Sequence, residues 1–402
     1  MLKYIMTLSA FKTRVHVNNK QHDFFMQCVN ARRVAFNFAL GTWIAMYDAH
    51  KLDETKPKPS AFDIDKVFNA VKKQKYPWLY GDDNKLIVPS CVAQQGIVND
   101  LKLAFKNFFE RVKKGGVPGY PKFKKRGMND SFKFTTSVIK NQHLIGNKLL
   151  LPKDYGSVRL GQKPHDGIIK NTTFSYRGGK WWVSLLLEHD EVWEQSPSNT
   201  PIGIDMGIAQ YATLSDGTVY PSARALESNT KKLVKLQRKL AKMTKGSARH
   251  AFQKEKISKH HKKISDIRVN HAHQVTAEIT QKHDVIVIED LKLKNMTKSS
   301  KGTVEEPGKM VKQKSGLNRS LLNQGLFEFR RQLDYKTARH GGVLIPVNPR
   351  FTSQTCFMCG AVDKENRQSQ AVFKCVHCGH VDHADLNASK NILQIGMNST
   401  AS

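Results

Sequence analysis

Acidic residues are scarce in this chain. Asp and Glu number 34 against 65 Lys and Arg in 402 residues, a formal net charge of +31. Self-repulsion of that size opposes compaction and calls for a polyanionic partner. Nucleic acid fits best; a membrane surface fits less well, because the basic residues are spread along the whole chain. Long apolar runs are also missing. The opening M-L-K-Y-I-M-T-L is too short and too interrupted for a signal peptide or a spanning helix, so no membrane partner is expected. Cysteine is sparse, with six residues, and their placement fits a reducing cytoplasm rather than a disulfide scaffold. There is no internal repeat, no Walker P-loop and no G-x-G-x-x-G fingerprint, which sets aside solenoids and those two nucleotide-binding classes. The length allows two to four domains and a sizeable core.

Four of the six cysteines gather near the C-terminal end, as T-C-F-M-C-G at 355–360 and C-V-H-C-G-H at 375–380. Cys356 with Cys359, and Cys375 with Cys378, form two C-x2-C pairs at the separation of a zinc site. Each pair on a tight turn brings two sulfurs together. Four thiolates fill the tetrahedron that Zn²⁺ prefers and leave no open position, so the metal would be structural. His377 and His380 are near enough to substitute as ligands, but the complete cysteine set makes them surface or nucleic-acid contacts. Cys28 and Cys91 lie alone in or beside helical patterns.

Residues 1–15 alternate weakly and read as a strand. The pattern from 18 to about 114 is helical, with apolar faces at Phe25 to Leu40, Ile64 to Val71 and Val92 to Phe109. Lys102, Lys106, Arg111, Lys113 and Lys114 are either a solvated face or nucleic-acid contacts. From 122 to 188 the texture is β, with Gly178-Gly179 as a hairpin turn before Trp181-Trp182, and short punctuated strands suggest a small barrel. Residues 1–15 could supply its missing strand. Ser196-Pro-Ser-Asn-Thr-Pro reads as a linker. Two long helices follow across 226–275, and residues 231–263 hold thirteen Lys or Arg against the single acid Glu255. Pairing within the helix cannot neutralise that excess, so the hairpin is expected along phosphates. Residues 295–319 read as a mobile loop or lid, 321–339 as a helix and 343–347 as a strand.

Three acids stand out. Asp205 sits inside the apolar strand I-G-I-D-M, where a charge is costly without partners. Glu289 ends the buried run V-I-V-I-E; its neighbour Asp290 must face the other way. Asp385 lies seven residues past the last cysteine, at a helix start. Carboxylates cluster most readily around a cation. Two Mg²⁺ ions about 3.5–4 Å apart can bridge a scissile phosphate and activate water, and Mg²⁺ suits carboxylate and phosphate ligands.

With these residues in view the chain resembles the TnpB family, insertion-sequence-encoded RNA-guided DNA nucleases related to type V CRISPR effectors. The resemblance rests on G-I-D-M-G (203–207), K-G-S (245–247) with R-V-N-H-A-H (268–273), I-E-D-L (288–291), L-N-R-S (317–320), T-S-Q-T-C-x-x-C-G (352–360) and A-D-L-N-A-S-K-N-I (384–392). G-x-P-x-x-P-K-F-K (116–124) matches the family's end-of-helical-region signature less sharply. The match runs from about 1 to 392 and is specific after residue 200. It implies a multidomain α+β protein: a β-barrel wedge domain over 1–15 and 120–197, a helical recognition domain over 16–119, an RNase H-like RuvC nuclease domain over 198–348 and 383–402, and a target-binding zinc ribbon over 349–382. It further implies Asp205, Glu289 and Asp385 as the catalytic, Mg²⁺-binding triad, with one Zn²⁺ on Cys356, Cys359, Cys375 and Cys378. The partners would be a structured guide RNA from the element's own end and double-stranded DNA beside a short recognition motif. Base pairing would read sequence, and protein would read the motif and the heteroduplex shape. The location would be the prokaryotic cytoplasm, at the nucleoid when DNA-bound. Asp290 and Asp382 are supporting neighbours of the triad. Tyr47, Gln94, Gln95 and Lys102 are undistinguished candidates for base reading. The alternatives are an RNA-guided DNA-binding regulator with little cleavage, and a transposase joining as well as cutting strands.

Overall fold

The computed structural model describes residues 6–115, 117–190, 200–303 and 305–401, and the chain divides into two compact units, Met1–Val192 and Trp193–Ser402. Of the expected linker, 196–199 lie outside the described residues.

In the first unit β1 (Met6–His16) leads into α1 (Asn19–Leu52). The turn between them is a capping box: the Asn18 side-chain oxygen Oδ1 accepts from the Gln21 N–H at 2.8 Å, and the Gln21 side chain accepts from the Asn18 N–H at 3.1 Å. The helix runs past Leu40, its last fully buried residue, with Trp43, Ile44 and Met46 half-buried against the same core. After it come α2 (Ala61–Lys75), α3 (Ser90–Gln94) and, past a π-helical turn at Gln95–Asp100, α4 (Leu101–Lys113). The strands are β2 (Ser131–Thr135), β3 (Leu144–Ile145), β4 (Lys148–Leu150), β5 (Ser157–Leu160), β6 (Ile168–Arg177) and β7 (Lys180–Asp190).

They form one antiparallel sheet in the order β2-β6-β7-β1-β5-β4-β3, so the N-terminal strand lies in its middle, between β7 and β5. The first and last strands of that order are not paired with each other among the described residues, so hydrogen bonding leaves the expected barrel open. Gly178 and Gly179 both take positive φ and join Arg177 to Lys180 as a two-residue hairpin turn. Trp181 is 2% exposed, and its ring lies 5.0 Å from Phe25 of α1, which also meets Phe174 at 4.5 Å in a tilted contact. Helices and sheet of this unit therefore share one core. Gln95, a candidate for base reading, accepts from the Lys133 N–H at 3.1 Å and so ties the π-helical turn to β2.

The second unit opens with β8 (Ile202–Asp205), β9 (Gln210–Leu214) and β10 (Val219–Pro221). The cationic hairpin follows as α5 (Ala225–Ala241) and α6 (Ala248–Lys282), then β11 (Val285–Glu289). Next come α7 (Leu293–Met296), α8 (Val311–Gln324), α9 (Leu326–Arg339) and β12 (Val343–Val347). Last are β13 (Val372–Lys374), β14 (Val381–His383) and α10 (Ala384–Ala401). The expected loop at 295–319 is thus partly helical. Its helix α8 is polar on most sides and buries only Leu321 and Gln324, so apolar periodicity could not reveal it. The helix expected over 321–339 breaks at Gly325, φ +72°, into α8 and α9.

The five-stranded sheet has the order β10-β9-β8-β11-β12, with β8, β11 and β12 parallel. Strand alternation sorts its faces. Ile202, Ile204, Ile286 and Ile288 pack with Ile279 of α6 and Phe329 and Leu333 of α9; Val287 packs on the other face with Val347 and Ile392 of α10. In the α5–α6 hairpin all thirteen basic residues are exposed except Lys262. Leu233, Ile257 and Ile264 join the helices, whereas Phe252 is 57% exposed and lies outside the contact its spacing suggests.

Candidate active site and four-cysteine centre

The register of the parallel strands decides where the first two acids go. Ile286, Val287 and Ile288 stand beside Ile202, Gly203 and Ile204, so the next pair is Glu289 beside Asp205. Both follow the parity of Gly203 and Val287 and face α10. Gly203 is required for that approach: a Cβ there would lie 2.2 Å from the Ser389 carbonyl oxygen and 2.7 Å from the Leu393 nitrogen of α10. From the helix side, a Cβ on Gly396 would come within 2.4 Å of Val287. Two missing side chains thus seat α10 on β8 and β11 and bring Asp385, in its first turn, to the same end as Asp205 and Glu289.

The charges on this cluster are not balanced. Burial, then the charges of Glu289 and Asp385, push the Asp205 carboxyl up from 3.8 to about 7, against the opposing pull of Arg367. That shift is roughly 4 kcal/mol against the ionised form. Burial likewise raises Glu289, although Thr352 and Arg367 oppose it. Arg367, from the segment between the cysteine pairs, reaches Asp385 at 3.2 Å. Thr352 donates to Glu289 Oε1 at 2.6 Å, and Asn391 of α10 donates to the Thr352 carbonyl at 2.9 Å. Neither Arg367 nor Thr352 is singled out by sequence reasoning; only T-S-Q-T at 352–355 pointed to the second. Asp290 turns to the opposite face and pairs with Arg330 and Lys292. Asp382 pairs with Lys390 at 2.8 Å and with His380 at 3.7 Å. Neither is seen to contact the three acids.

The all-oxygen donor set, with more negative than positive charge, fits a hard divalent cation such as Mg²⁺. The carboxylates are nonetheless an open set. Among the described residues, the only group of three or more candidate ligands with all donor atoms within 4.8 Å of one another is Cys356, Cys359, Cys375 and Cys378.

Those cysteines are assembled by two copies of one turn. Gly360 and Gly379, both at φ +74°, follow the second cysteine of each pair; their N–H groups return to the Cys356 carbonyl at 2.8 Å and the Cys375 carbonyl at 3.0 Å. A side chain at either glycine would strain that left-handed backbone. Sulfurs stand 3.7 Å apart for Cys356 and Cys378, and 3.6 Å for Cys359 and Cys375. A tetrahedral ion with metal–sulfur bonds of about 2.3 Å has edges of about 3.8 Å, so the four thiols fit a zinc-sized ion. The Cys378 N–H directed at the Cys375 sulfur leads the effects that hold this thiol below its ordinary value. His377 and His380 are outside the cluster. Asn387 of α10 clamps its base, donating to the Thr355 carbonyl at 2.8 Å and accepting from the Phe357 N–H at 3.0 Å.

A mixed α/β multidomain protein with a four-cysteine centre is the class these features define. Three family models match it: OrfB_IS605, described as a probable transposase, over 184–300; the Cas12f1-like TNB domain over 327–392; and an OrfB_IS605 helix-turn-helix domain over 6–51. The last segment is here a strand followed by a single helix, β1 and α1. The chain is 39% identical over 390 residues to InsQ of Escherichia coli (strain K12), which carries the name of an RNA-guided DNA endonuclease, covering 97% of this chain and 92% of that protein. A Streptomyces pristinaespiralis protein of the same description is 30% identical over 78% of this chain and 73% of its own length. The structure of the mini-RNA-guided endonuclease CRISPR-Cas_phi3 aligns over 97% of this chain and 92% of its own at TM-score 0.44 and 12% identity. The chain belongs to the TnpB (IS605 OrfB) family.

Proposed function

We propose that this protein is a transposon-associated RNA-guided DNA endonuclease that hydrolyses phosphodiester bonds with Mg²⁺. The observation that carries the reading is the side-by-side placement of Asp205 and Glu289 at the ends of parallel strands, with Asp385 delivered to them by α10. The relatives' descriptions supply the guide and the substrate. In this reading 198–348 and 383–402 are the RuvC-like domain, 349–382 the zinc-bearing, target-binding ribbon, 1–15 with 120–197 the wedge and 16–119 the recognition domain.

Asp205, Glu289 and Asp385 would hold the metal, which when bound supplies charge neutralisation at the scissile phosphate and an acidified water. The protein's own part is to keep carboxylates ionisable where burial opposes it. Thr352 occupies one oxygen of Glu289 and leaves the other available as a ligand. Arg367 offsets repulsion among the acids and offers a guanidinium to a phosphate oxygen. The α5–α6 face supplies sequence-independent backbone affinity. The four cysteines would hold zinc and with it anchor the segment that carries Arg367.

The test is to purify the protein with any RNA it retains from cells carrying its native locus, sequence that RNA, and assay cleavage of matching DNA with Mg²⁺. A discrete RNA and Mg²⁺-dependent cutting are expected. Asp205→Ala should keep the RNA and lose the cutting. An RNA-bound protein that never cuts would be the regulator instead, and joined strands would make it a transposase.

A further inference from the structure

A cavity of about 380 Å³ lies in the first unit, between α1 and the segment 122–131 that follows the P-K-F-K motif. Its size falls within the range of small-molecule sites. Two of its lining residues, Arg32 and Lys124, are fixed by a half-buried ion network. Arg32 grips Asp100 with two bonds of 2.8 Å and also donates to the Ser131 carbonyl and hydroxyl; Lys124 reaches Asp100 at 2.6 Å. Burial works against the Asp100 charge, but Arg32 and Lys124 outweigh it and hold the carboxyl below its ordinary value. Asn37 clamps the backbone of Lys124 from both sides, at 3.0 and 2.7 Å. Both walls are therefore rigid before any ligand arrives.

Asp100 offsets only one of the charges of Arg32 and Lys124, and Arg33, Lys122 and Lys125 add further cations against the single lining acid Asp130. Arg33 Nε is shielded from solvent and has no hydrogen-bond partner among the described residues. A buried guanidinium N–H without an acceptor is costly, and a ligand oxygen would supply the acceptor. Phe123 stands on the wall with 54% of its surface exposed, between Lys122 and Lys124 in sequence. Asp130 disfavours a bare phosphate ion but suits the amino edge of a base.

We propose that this cavity takes one nucleotide of an unpaired nucleic-acid stretch, its phosphate on Arg33 and Lys125, its base on Phe123. The site is separate from the three acids and rests on the guided-nuclease reading only for the identity of the strands. Guide RNA and displaced DNA share the chemistry, and the test tells them apart.

The experiment places a photoreactive benzophenone amino acid at position 123 of the full-length protein. The protein is assembled with the RNA that co-purifies with it and a matching DNA duplex, irradiated, and the cross-linked nucleotide is mapped. A cross-link confined to one or two adjacent nucleotides is expected, and the strand that carries it names the source. Arg33→Gln and Lys125→Gln, each checked for folding by circular dichroism, should lower that cross-link at least fivefold. Lys125 is exposed, so its variant tests the site without threatening the core. Cross-links scattered along both strands, none to nucleic acid, or a yield that neither variant changes would overturn the proposal. If wild type still cuts in those cases, only the cavity's assignment falls. If no RNA is retained and no DNA is cut, the guided reading falls with it.

Discussion

The two candidate metal centres of the second unit are built on opposite plans. The four cysteines come from two short segments whose turns place the sulfurs 3.6–3.7 Å apart, close to a tetrahedral edge. The three acids come from two strands and a helix spread over 205–385, and their oxygens remain an open set. The first centre is local geometry repeated. The second is a product of tertiary packing, in which Gly203 and Gly396 let α10 touch the sheet. A structural ion needs a finished cage, whereas a catalytic one needs room for phosphate and water and tolerates carboxylates that repel each other until it binds.

The largest expected effect breaks the cysteine centre. Cys375→Ser with Cys378→Ser should remove the bound zinc, measured by atomic absorption, and unfold the 349–392 region. Structural zinc contributes on the order of 10 kcal/mol to small domains. Protease cleavage confined to that region would report the loss, and a variant with unchanged zinc would refute the four-cysteine assignment.

Next comes the acid centre. Asp205→Asn should lower cleavage roughly a thousandfold or more, several kcal/mol of transition-state stabilisation, while RNA retention stays as in wild type. The contrast with the cysteines is that this variant keeps its fold. Joint loss of RNA and cleavage would make Asp205 a structural residue.

Gly203→Ala tests whether packing assembles the acids. Its methyl would meet the backbone of α10, so a destabilisation of about 1–3 kcal/mol is expected, together with lost cleavage and retained zinc. A fully active, equally stable variant would show that α10 does not depend on this contact.

These expectations also mark what could be seen from the chain alone. The cysteine pairs were legible because spacing, turn glycines and ligand chemistry all sit within a few residues of one another. Asp205 was legible as a charge inside an apolar run and Glu289 as a charge ending one, and the face rule that separates Glu289 from Asp290 needs only strand alternation. Arg367 was not, because it reaches Asp385 only after the ribbon folds back; Thr352 lay within the T-S-Q-T motif, but nothing there showed that its hydroxyl turns to Glu289. The helix at 311–324 was hidden by its polar surface, and Phe252 by a periodicity that its exposed position does not use. Sequence pattern reports burial, so it fails where a helix buries little or a side chain acts across a long loop.

A smaller effect is expected from Thr352→Val, which removes the hydroxyl from Glu289 and leaves its bulk. Removing a group that orients a metal ligand typically costs about 10–100-fold in metal affinity. The Mg²⁺ concentration at half-maximal cleavage should rise while the rate at saturating Mg²⁺ changes less. An equal fall at all Mg²⁺ concentrations would assign Thr352 a role other than holding Glu289.

The finest test uses pH. Asp205 has a folded value of about 7 against 3.8, so between those values the metal-free folded state binds more protons than the unfolded chain. Its contribution to stability therefore falls as pH rises through that window, by about 1.4 kcal/mol per pH unit, and levels off above pH 7. Asn carries no such charge. The stability of Asp205→Asn relative to wild type, from urea unfolding without Mg²⁺, should grow steadily from pH 5 to 7 and then flatten. The cysteine centre is the same in both proteins and cancels from the difference. Saturating Mg²⁺ should shrink the gap most at pH 8, where the carboxylate is already ionised and the ion need displace no proton. A difference independent of pH would show that Asp205 is ordinary in its acidity, and that the acids are held apart well enough to need no cation.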